Sequence, residues 1–284
     1  SPSGVATGAI PALAGVRNLV AVASGKGGVG KSTTTVNLAY ALAKTGAKVG
    51  VLDCDVYGPS IPLMMNVNGG AAAKNDMLEP PLADGIKVIS IGMFSSGGPN
   101  KAAIMRGPMA GNLIKQFLSQ VNWGELDYLL MDYPPGTGDI QLTISQTAPL
   151  TGAVIVTTPQ EVSLIDVRKA ISMFETLKVP VVGVVETMSY YFCKGEGEKH
   201  FIFGQGGGEK LCAEYGLPFL GGIPIEPAVV QGGDKGQAIV KLDPENDAAK
   251  AYSQAAGQTA AQVSIINAKD GDALEQFSLV WKKR

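Results

Sequence analysis

The sequence predicts an α/β fold in which a doubly wound, mostly parallel sheet carries helices on both faces. Three observations predict it: short apolar runs recur along the chain, helical patterns lie between several of them, and a glycine-rich loop joins the first run to the first helical pattern. Runs without a polar face are typical of parallel strands buried between two helical layers. In such folds, ligand-binding groups gather at the carboxyl ends of the strands.

The individual elements follow from the same patterns. Strands are predicted at 19–23, 48–53, 86–91, 128–132, 153–157, 181–187 and 219–223. Helices are predicted at 33–44, 109–121, 163–177, 208–215 and 246–265. Two segments rich in Gly, Ala, Ser and Asn, 69–79 and 94–100, are predicted to be loops.

The loop at 25–32 has the phosphate-binding pattern G-x-x-x-x-G-K-S/T, with a second lysine directly after the first glycine. Its glycines let successive backbone N–H groups point at one phosphate, and the helix that follows adds the positive end of its dipole. Lys31 is expected to reach the β- and γ-phosphates, and the Ser32 hydroxyl to bind Mg²⁺. The predicted nucleotide-binding residues are Gly25, Lys26, Gly27, Gly28, Val29, Gly30, Lys31, Ser32 and Thr33.

Three aspartates follow predicted strands and form a candidate Mg²⁺ site with Ser32. Asp53 and Asp55 come at the end of the second strand, and Asp132 ends the run at 128–132. Because phosphate-bound Mg²⁺ keeps several waters, each aspartate is expected to act directly or through a water. Asp55 is also the candidate that orients or activates the attacking water. The Pro- and Gly-rich segment 132–139 is predicted to be a switch that senses the γ-phosphate.

Composition limits the class of protein. The 284 residues, 45% of them hydrophobic, supply the core of one large domain. A net charge of −2 without clustered Lys or Arg gives no electrostatic support for nucleic-acid binding. No apolar run approaches the roughly 20 residues of a transmembrane helix, and three irregularly spaced cysteines favour a reducing, cytoplasmic location. We expect a flexible leader over 1–17, a P-loop ATPase domain over 18–241, and a C-terminal helix with a polar tail over 242–284.

Six blocks carry a further resemblance: SGKGGVGKST at 24–33, LDCDVYGPS at 52–60, MRGPM at 105–109, WGELDY at 123–128, MDYPPGTGD at 131–139 and TPQEV at 158–162. Together they resemble the Mrp/Nbp35 (ApbC-like) family of iron–sulfur cluster carrier ATPases. This family belongs to the deviant Walker A class, which also holds MinD, ParA and the nitrogenase iron protein. The first block places the chain in the class, and those at 57–60, 106–108 and 134–139 single out the Mrp branch.

The resemblance implies a homodimer that sandwiches ATP and hydrolyses it slowly, with Lys26 reaching phosphates held by the partner subunit. A cation is useful there because negative charge develops on the transferred phosphoryl group. Lys26, Lys31 and Asp55 are therefore the candidate catalytic residues. The implied partners are a second copy of the chain, apo iron–sulfur client proteins and cluster scaffold proteins, and no nucleic acid is expected.

The cluster site departs from the family pattern. The family carries a Cys-x-x-Cys pair, and two subunits together offer four thiolates to a bridging 4Fe–4S cluster. Here Cys193 occupies the first position and Glu196 the second, a poor ligand set for soft iron–sulfide chemistry. Three interpretations stay open: Glu196 is a labile oxygen ligand, Cys212 or another group completes the site, or the site is lost. His200, the single histidine, is expected to have a surface or packing role.

Two other functions compete with the cluster carrier. One is a MinD- or ParA-like positioning ATPase, which requires a C-terminal amphipathic helix or a basic patch for membrane or DNA. The Ala- and Gln-rich helix of the tail and the end at 281–284 give this alternative only slight support. The other is a nucleotide-dependent scaffold without a cluster. Thr187 lies near the position where related ATPases often place an asparagine that reads adenine, so adenine specificity is implied by the resemblance alone.

Overall fold

The computed structural model describes residues 10–94, 107–193 and 195–281. The strands are β1 (Val16–Ser24), β2 (Val49–Asp53), β3 (Ala72–Lys74), β4 (Met77–Glu79), β5 (Leu82–Ala83), β6 (Ile86–Ser90), β7 (Leu126–Asp132), β8 (Gly152–Thr157), β9 (Val181–Glu186), β10 (Tyr191–Cys193), β11 (Glu198–His200) and β12 (Phe219–Gly222). The helices are α1 (Lys31–Lys44), α2 (Ile61–Met64), α3 (Gly107–Gln120), α4 (Asp139–Thr147), α5 (Glu161–Thr176), α6 (Gly207–Tyr215), α7 (Pro227–Asp234), α8 (Ile239–Leu242) and α9 (Asp247–Trp281). Short 3-10 helices lie at Pro11–Leu13 and Ile91–Phe94.

Eight of the strands form one sheet in the order β12-β9-β8-β1-β7-β2-β6-β5. Neighbouring strands are parallel except at the β5–β6 edge, which is antiparallel. Parallel neighbours need crossover connections, and helices supply them. The predicted fold class is therefore confirmed.

The side chains of the sheet alternate between two apolar layers. In β1, Leu19, Ala21 and Ala23 pack with α3, α4, α5 and α6, whereas Val20 packs with α1, α8 and α9 on the other face. Because successive strand residues point to opposite faces, a strand covered on both sides must be apolar throughout. This explains why the strands read as continuous apolar runs in the sequence.

The predicted strands are all present, but several boundaries and elements differ from expectation. The first strand begins at Val16, inside the segment 1–17 that we assigned to the leader. The C-terminal helix extends to Trp281, beyond the predicted end at 265. The segment 69–79, predicted to be a loop, contains the β3–β4 hairpin. Helices α2, α4, α7 and α8 were not predicted, because their short, polar or glycine-containing sequences lack a strong apolar period.

Some sequence predictions fall on residues that are not described. The loop at 94–100 is described only at its first residue, and Met105 and Arg106 of the block at 105–109 lie outside the described residues, as do the last three residues of the chain. Within the described ranges, no helix has both the length and the apolar character that crossing a bilayer requires.

The strand register brings polar side chains together at one edge of the sheet. Asp132 at the end of β7 lies beside Val22 of β1 on one side and Asp53 of β2 on the other. Asp53 in turn pairs with Ser90, the last residue of β6. The glycine-rich loop leaves β1 at this same edge, so the fold places the loop and the aspartates next to one another.

Candidate nucleotide and metal sites

The phosphate-binding loop turns directly into α1. Gly30 is the N-cap of this helix, with a left-handed φ of 79°, and no side chain in the described part of the chain caps the helix. The first-turn N–H groups of α1 therefore remain available to an anion at the positive end of the helix dipole. Gly25 is required for another reason: a Cβ there would lie 2.3 Å from the carbonyl carbon of Asp166 in α5.

Asp132 is the centre of the site. Its Oδ2 accepts hydrogen bonds from Lys31 Nζ at 2.8 Å and from Ser32 Oγ at 2.6 Å. Its Oδ1 accepts one from Thr35 Oγ1 at 2.7 Å. The carboxylate is fully buried, so these three donors from the start of α1 replace its hydration. The structure thus brings the motif lysine, the motif serine and a strand-end aspartate into direct contact, as the sequence predicts.

Lys31 keeps its charge although it is buried. Burial alone lowers the pKa of its ammonium group, but the charge and hydrogen bond of Asp132, and then the charges of Asp55 and Asp53, outweigh it and raise the pKa above its usual value. The Nζ atom lies 3.4 Å from Asp55 Oδ2. A charged lysine therefore lies at the base of the phosphate-binding loop, in contact with two aspartates.

The two aspartates of the second strand have different environments. The side chain of Asp55 is 11% exposed, and its Oδ1 accepts a hydrogen bond from Tyr57 N–H. Asp53 is fully buried, and its two oxygens accept hydrogen bonds from the N–H of Asp55, the N–H of Ile61 and the Ser90 hydroxyl. Burial, and next the charge of Asp132, raise the pKa of Asp53 to about 8. Asp55 thus faces the site, whereas Asp53 holds the chain that follows β2.

Thr187, the residue directly after β9, is hydrogen-bonded to the phosphate-binding loop. Its hydroxyl donates a hydrogen bond to the carbonyl oxygen of Val29 at 2.6 Å and lies 2.9 Å from that of Thr157. The residue is buried. Its polar group is therefore engaged with backbone, and it holds the phosphate-binding loop in place.

The segment 132–139, predicted to be a switch, lies against the phosphate-binding loop. The N–H of Gly136 donates to the carbonyl oxygen of Ser24, and Pro135 is the nearest neighbour of a Cβ built on Gly27. The amide of Gln141 in α4 donates to the carbonyl oxygens of Pro134 and Pro135. The segment is thus hydrogen-bonded both to the start of the phosphate-binding loop and to α4.

A second polar cluster lies on the β10–β11 hairpin. Cys193, Glu196 and His200 place their ligand atoms within 4.8 Å of one another. His200 Nε2 lies 2.9 Å from Glu196 Oε2. His200 was expected to have a surface or packing role. Its ring is exposed, and it has two potential ligand neighbours, Cys193 and Glu196. By contrast, Cys212 is buried in α6, where its thiol donates to the carbonyl oxygen of Pro218 and burial raises its pKa to about 11.

Several functional contacts could not be predicted from motifs. Thr35 lies one helical turn after Lys31, so its contact with Asp132 follows from the period of α1 once the helix start is known. Ser90 ends β6, next to β2, and only the strand order reveals that it neighbours Asp53. His200 meets Glu196 because a hairpin reverses the chain between them. The available signal was its short spacing from Cys193.

Proteins that set a loop lysine and serine against a strand-end aspartate, at the carboxyl edge of a parallel sheet, are P-loop nucleotide-binding proteins. Within this class the chain belongs to the ParA, NUBPL iron-transfer P-loop NTPase family, whose model matches residues 15–260. The resemblance inferred from the six sequence blocks is therefore confirmed.

Among curated proteins, the chain is similar to the iron–sulfur cluster carrier proteins of Synechocystis sp. and Escherichia coli. The first is 50% identical over 256 residues, which are 88% of this chain and 72% of the relative. The second is 48% identical over 255 residues, which are 89% of this chain and 69% of the relative. The chain thus spans about 70% of the length of these curated relatives.

Solved structures agree with the fold. A nucleotide-binding protein from Archaeoglobus fulgidus, in complex with ADP and with Co found by PIXE, is 43% identical, with a TM-score of 0.73 over 84% of this chain and 92% of that one. The septum site-determining protein MinD from Pyrococcus horikoshii, complexed with Mg-ADP, is 23% identical, with a TM-score of 0.62 over 84% and 94%. At that identity the likeness to MinD shows the fold alone.

Proposed function

We propose that the chain is an ATP-binding, slowly hydrolysing homodimeric carrier that delivers iron–sulfur clusters to apoproteins. The convergence of Lys31, Ser32 and Thr35 on Asp132 at the uncapped start of α1 is the observation that carries the nucleotide half of this proposal. Membership of an iron-transfer family, and relatives named iron–sulfur cluster carrier proteins, support the carrier half.

The phosphate groups of ATP are the ligand that best fits the loop. The backbone of 25–33 and the first turn of α1 supply N–H donors, and Lys31 can leave Asp132 for an incoming phosphate because the two ligands compete for one ammonium group. The relative from A. fulgidus holds ADP. We assign the loop residues Gly25 to Thr33 to nucleotide binding on this basis.

Mg²⁺ is a cation that these oxygen donors suit. A hydroxyl from Ser32 and carboxylates from Asp132 and Asp55 are hard ligands of the kind that Mg²⁺ takes, directly or through water. When bound, the ion would neutralise charge on the phosphates. We revise the role of Asp53, because two of the three donors to its carboxylate are the backbone N–H groups of Asp55 and Ile61, which are fixed by the chain. The donors to the Asp132 carboxylate are all side chains, which a bound nucleotide or ion can displace. Asp53 is therefore better suited to positioning Asp55 than to binding Mg²⁺.

For hydrolysis, we assign Asp55 to orienting the attacking water and Lys26 to stabilising the transferred phosphoryl group of the partner subunit. Asp55 lies beside Lys31 and is partly open to solvent, so it can hold a water near the phosphates. Lys26 is half-exposed and forms no ion pair within the described residues. Its charge is therefore available to a neighbouring subunit.

A dimer face at the carboxyl edge of the sheet is supported by the apolar side chains exposed there. Tyr57 follows β2, and Val162 and Ile165 lie in the first turns of α5, which follows β8; all three are exposed. Single exposed apolar residues are ordinary, but a group at the nucleotide edge is what a second copy of the chain would cover. Nucleotide bound between two subunits would then act on the dimer face and on the switch at 132–139 together.

The cargo site of this proposal is the hairpin that bears Cys193 and Glu196. Cys212 is no longer a candidate to complete it, because it is buried and its thiol is difficult to ionise. The proposed partners are apo iron–sulfur client proteins and cluster scaffold proteins. A cytoplasmic location, and the absence of nucleic acid among the partners, stay predictions from cysteine content and charge.

The test is anaerobic reconstitution with iron and sulfide, followed by transfer of the cluster to an apo iron–sulfur acceptor with and without ATP. We expect about four irons per dimer after desalting, the content of one 4Fe–4S cluster, and their loss in Cys193→Ala. Cys212→Ala is the matched control and should retain the iron. Wild-type protein that retains no iron, or iron that survives in Cys193→Ala, would contradict the carrier function at this hairpin.

A further inference from the structure

The hairpin brings three different ligand groups to one of its faces. In the register of β10 and β11, Tyr191 is opposite His200 and Cys193 is opposite Glu198. Opposed residues share a face, and residues two apart on a strand do so as well, so Cys193 and His200 lie on the same side. The turn between the strands returns Glu196 to this side, where its carboxylate contacts the His200 ring at 2.9 Å.

Two backbone hydrogen bonds join the described residues of this turn to β10. The N–H groups of Glu196 and Gly197 both donate to the carbonyl oxygen of Cys193, at 3.2 and 2.8 Å. On the opposite face of the hairpin, Lys199 Nζ lies 4.1 Å from the centre of the Tyr190 ring. The hairpin base is fixed to the main fold by the hydrogen bond from Ile225 N–H to the carbonyl oxygen of Tyr190. The three ligand groups therefore lie on a hairpin that is hydrogen-bonded to the main fold.

The spacing of the ligand atoms is close to what one metal ion needs. The Cys193 sulfur, the Glu196 carboxylate and a His200 ring nitrogen lie within 4.8 Å of one another. Around a tetrahedral ion with bonds of about 2.0 to 2.3 Å, ligand atoms are about 3.3 to 3.8 Å apart. The side chains of Glu196 and His200 are 62% and 45% exposed. Rotation of these side chains can therefore shorten the distances between the ligand atoms by the remaining ångström, and the strands need not move.

The chemistry of the set indicates the class of ion. A thiolate, an imidazole and a carboxylate together suit borderline divalent ions such as Fe²⁺, Co²⁺ and Zn²⁺, whereas Mg²⁺ and Ca²⁺ prefer oxygen ligands alone. Two copies of this set provide too few thiolates for an all-cysteine 4Fe–4S cluster. One protomer, however, supplies three suitable ligands for a single ion.

We propose that each protomer binds one divalent transition-metal ion through Cys193, Glu196 and His200. Three protein ligands leave a tetrahedral ion one position for water or for an incoming group, the arrangement found where a metal must exchange ligands. The inference rests on the proposed function only in taking this hairpin as the cargo site. The inference differs from the proposed function in that each protomer binds its ion without ligands from the partner subunit.

The test uses Co²⁺ as the only added metal, titrated anaerobically into the full chain without nucleotide. We expect a thiolate-to-cobalt charge-transfer band, and metal analysis after desalting should give one Co²⁺ per protomer. Cys193→Ser should lose the band, and Glu196→Gln and His200→Ala should each raise the Kd at least about tenfold. The control is Glu209→Gln, which makes the same charge change on an exposed side chain of α6, outside the hairpin, and should leave the Kd within twofold of wild type.

The outcomes separate this inference from the carrier function. One Co²⁺ per protomer with dependence on His200, in a protein that holds no iron after reconstitution, supports the mononuclear site and contradicts cluster carriage. A reconstituted cluster whose iron content is the same in His200→Ala, together with unchanged Co²⁺ affinity in that variant, overturns the mononuclear site and leaves the carrier function in place. A stoichiometry of half an ion per protomer, or an equal loss of affinity in Glu209→Gln, also overturns the mononuclear site.

Discussion

The hydroxyl of Thr187 donates a hydrogen bond to the carbonyl oxygen of Val29, a residue of the phosphate-binding loop 158 positions earlier in the chain. The N–H of Thr187 also donates to the carbonyl oxygen of Thr157, so this one residue joins the ends of β8 and β9 to the loop. Strand β10 begins shortly afterwards at Tyr191. The loop that meets phosphate and the hairpin that carries Cys193 are therefore connected by a short, hydrogen-bonded segment.

Removing this hydroxyl should loosen the loop. Thr187→Val keeps the shape of the side chain but leaves the buried Val29 carbonyl without its donor, which should cost about 1–2 kcal/mol of stability in urea unfolding. ATP affinity, measured by calorimetry, should fall as well. Thr187→Ser retains the hydroxyl and is the control. ATP affinities that are equal in the Val and Ser variants would contradict a role for this bond in shaping the loop.

The two lysines of the loop should differ in their effects. Lys31→Ala should abolish tight ATP binding, because the ammonium group at the base of the loop is lost. Lys26→Ala should still bind ATP but release phosphate at least about tenfold more slowly, since its charge is needed only as the phosphoryl group is transferred. Both variants should be compared with wild type by ATP titration and by phosphate release, at protein concentrations that give the same fraction of dimer. Wild-type turnover in Lys26→Ala would exclude its role across the dimer.

Asp132 should contribute strongly to the stability of the fold. Asp132→Asn removes the charge that compensates the buried Lys31 ammonium, and we expect a loss of about 3 kcal/mol or more in the free energy of unfolding. Asp127→Asn tests the same substitution at the other end of β7. Its ion pair with Arg17 is exposed, with side-chain exposures of 75% for Arg17 and 29% for Asp127, so its loss should cost below about 1 kcal/mol. Similar losses in the two variants would show that Asp132 is not the centre of the site.

Asp55 should affect hydrolysis rather than binding. In Asp55→Ala, Lys31 and the N–H groups at the start of α1 remain for the phosphates, and Ser32 and Asp132 remain for Mg²⁺, so a non-hydrolysable ATP analogue should bind with an affinity close to that of wild type. Phosphate release should fall by about a hundredfold or more, the range expected when a group that positions or deprotonates a nucleophile is removed. Hydrolysis at the wild-type rate would rule out its assignment as the water-orienting group.

The three cysteines should differ sharply in reactivity. Burial raises the pKa of Cys212 to about 11 and that of Cys54 well above its usual value, so neither forms much thiolate at pH 8. Cys193 is only partly buried. Brief alkylation at pH 8, followed by peptide mass spectrometry, should label Cys193 alone, and labelling of Cys212 should increase only as the pH approaches 11. Unfolding in urea should expose all three, and equal native labelling of Cys193 and Cys212 would contradict this description.

Most of the fold could be predicted because buried parallel strands and glycine-rich loops leave strong local signals. The contact of Lys31 and Ser32 with Asp132 was predictable too, since parallel strands end at one edge of a sheet. The sequence alone did not indicate the order of the strands in the sheet, or that the chain reverses in a hairpin before His200. Ser90 meets Asp53 only because β6 pairs with β2, and His200 meets Glu196 only because a hairpin forms between them.

The central position of β1 has a consequence for biosynthesis. Both of its neighbours, β7 and β8, begin more than 100 residues downstream, at Leu126 and Gly152. At translation rates of about 5–20 residues per second, roughly 5–25 s pass between the synthesis of β1 and that of its first partner. During this interval the nascent chain carries an apolar strand whose two edges are both unpaired, a state prone to aggregation. The nucleotide-binding motif is thus made well before β7, and its site is assembled only once Asp132 at the end of β7 has been made.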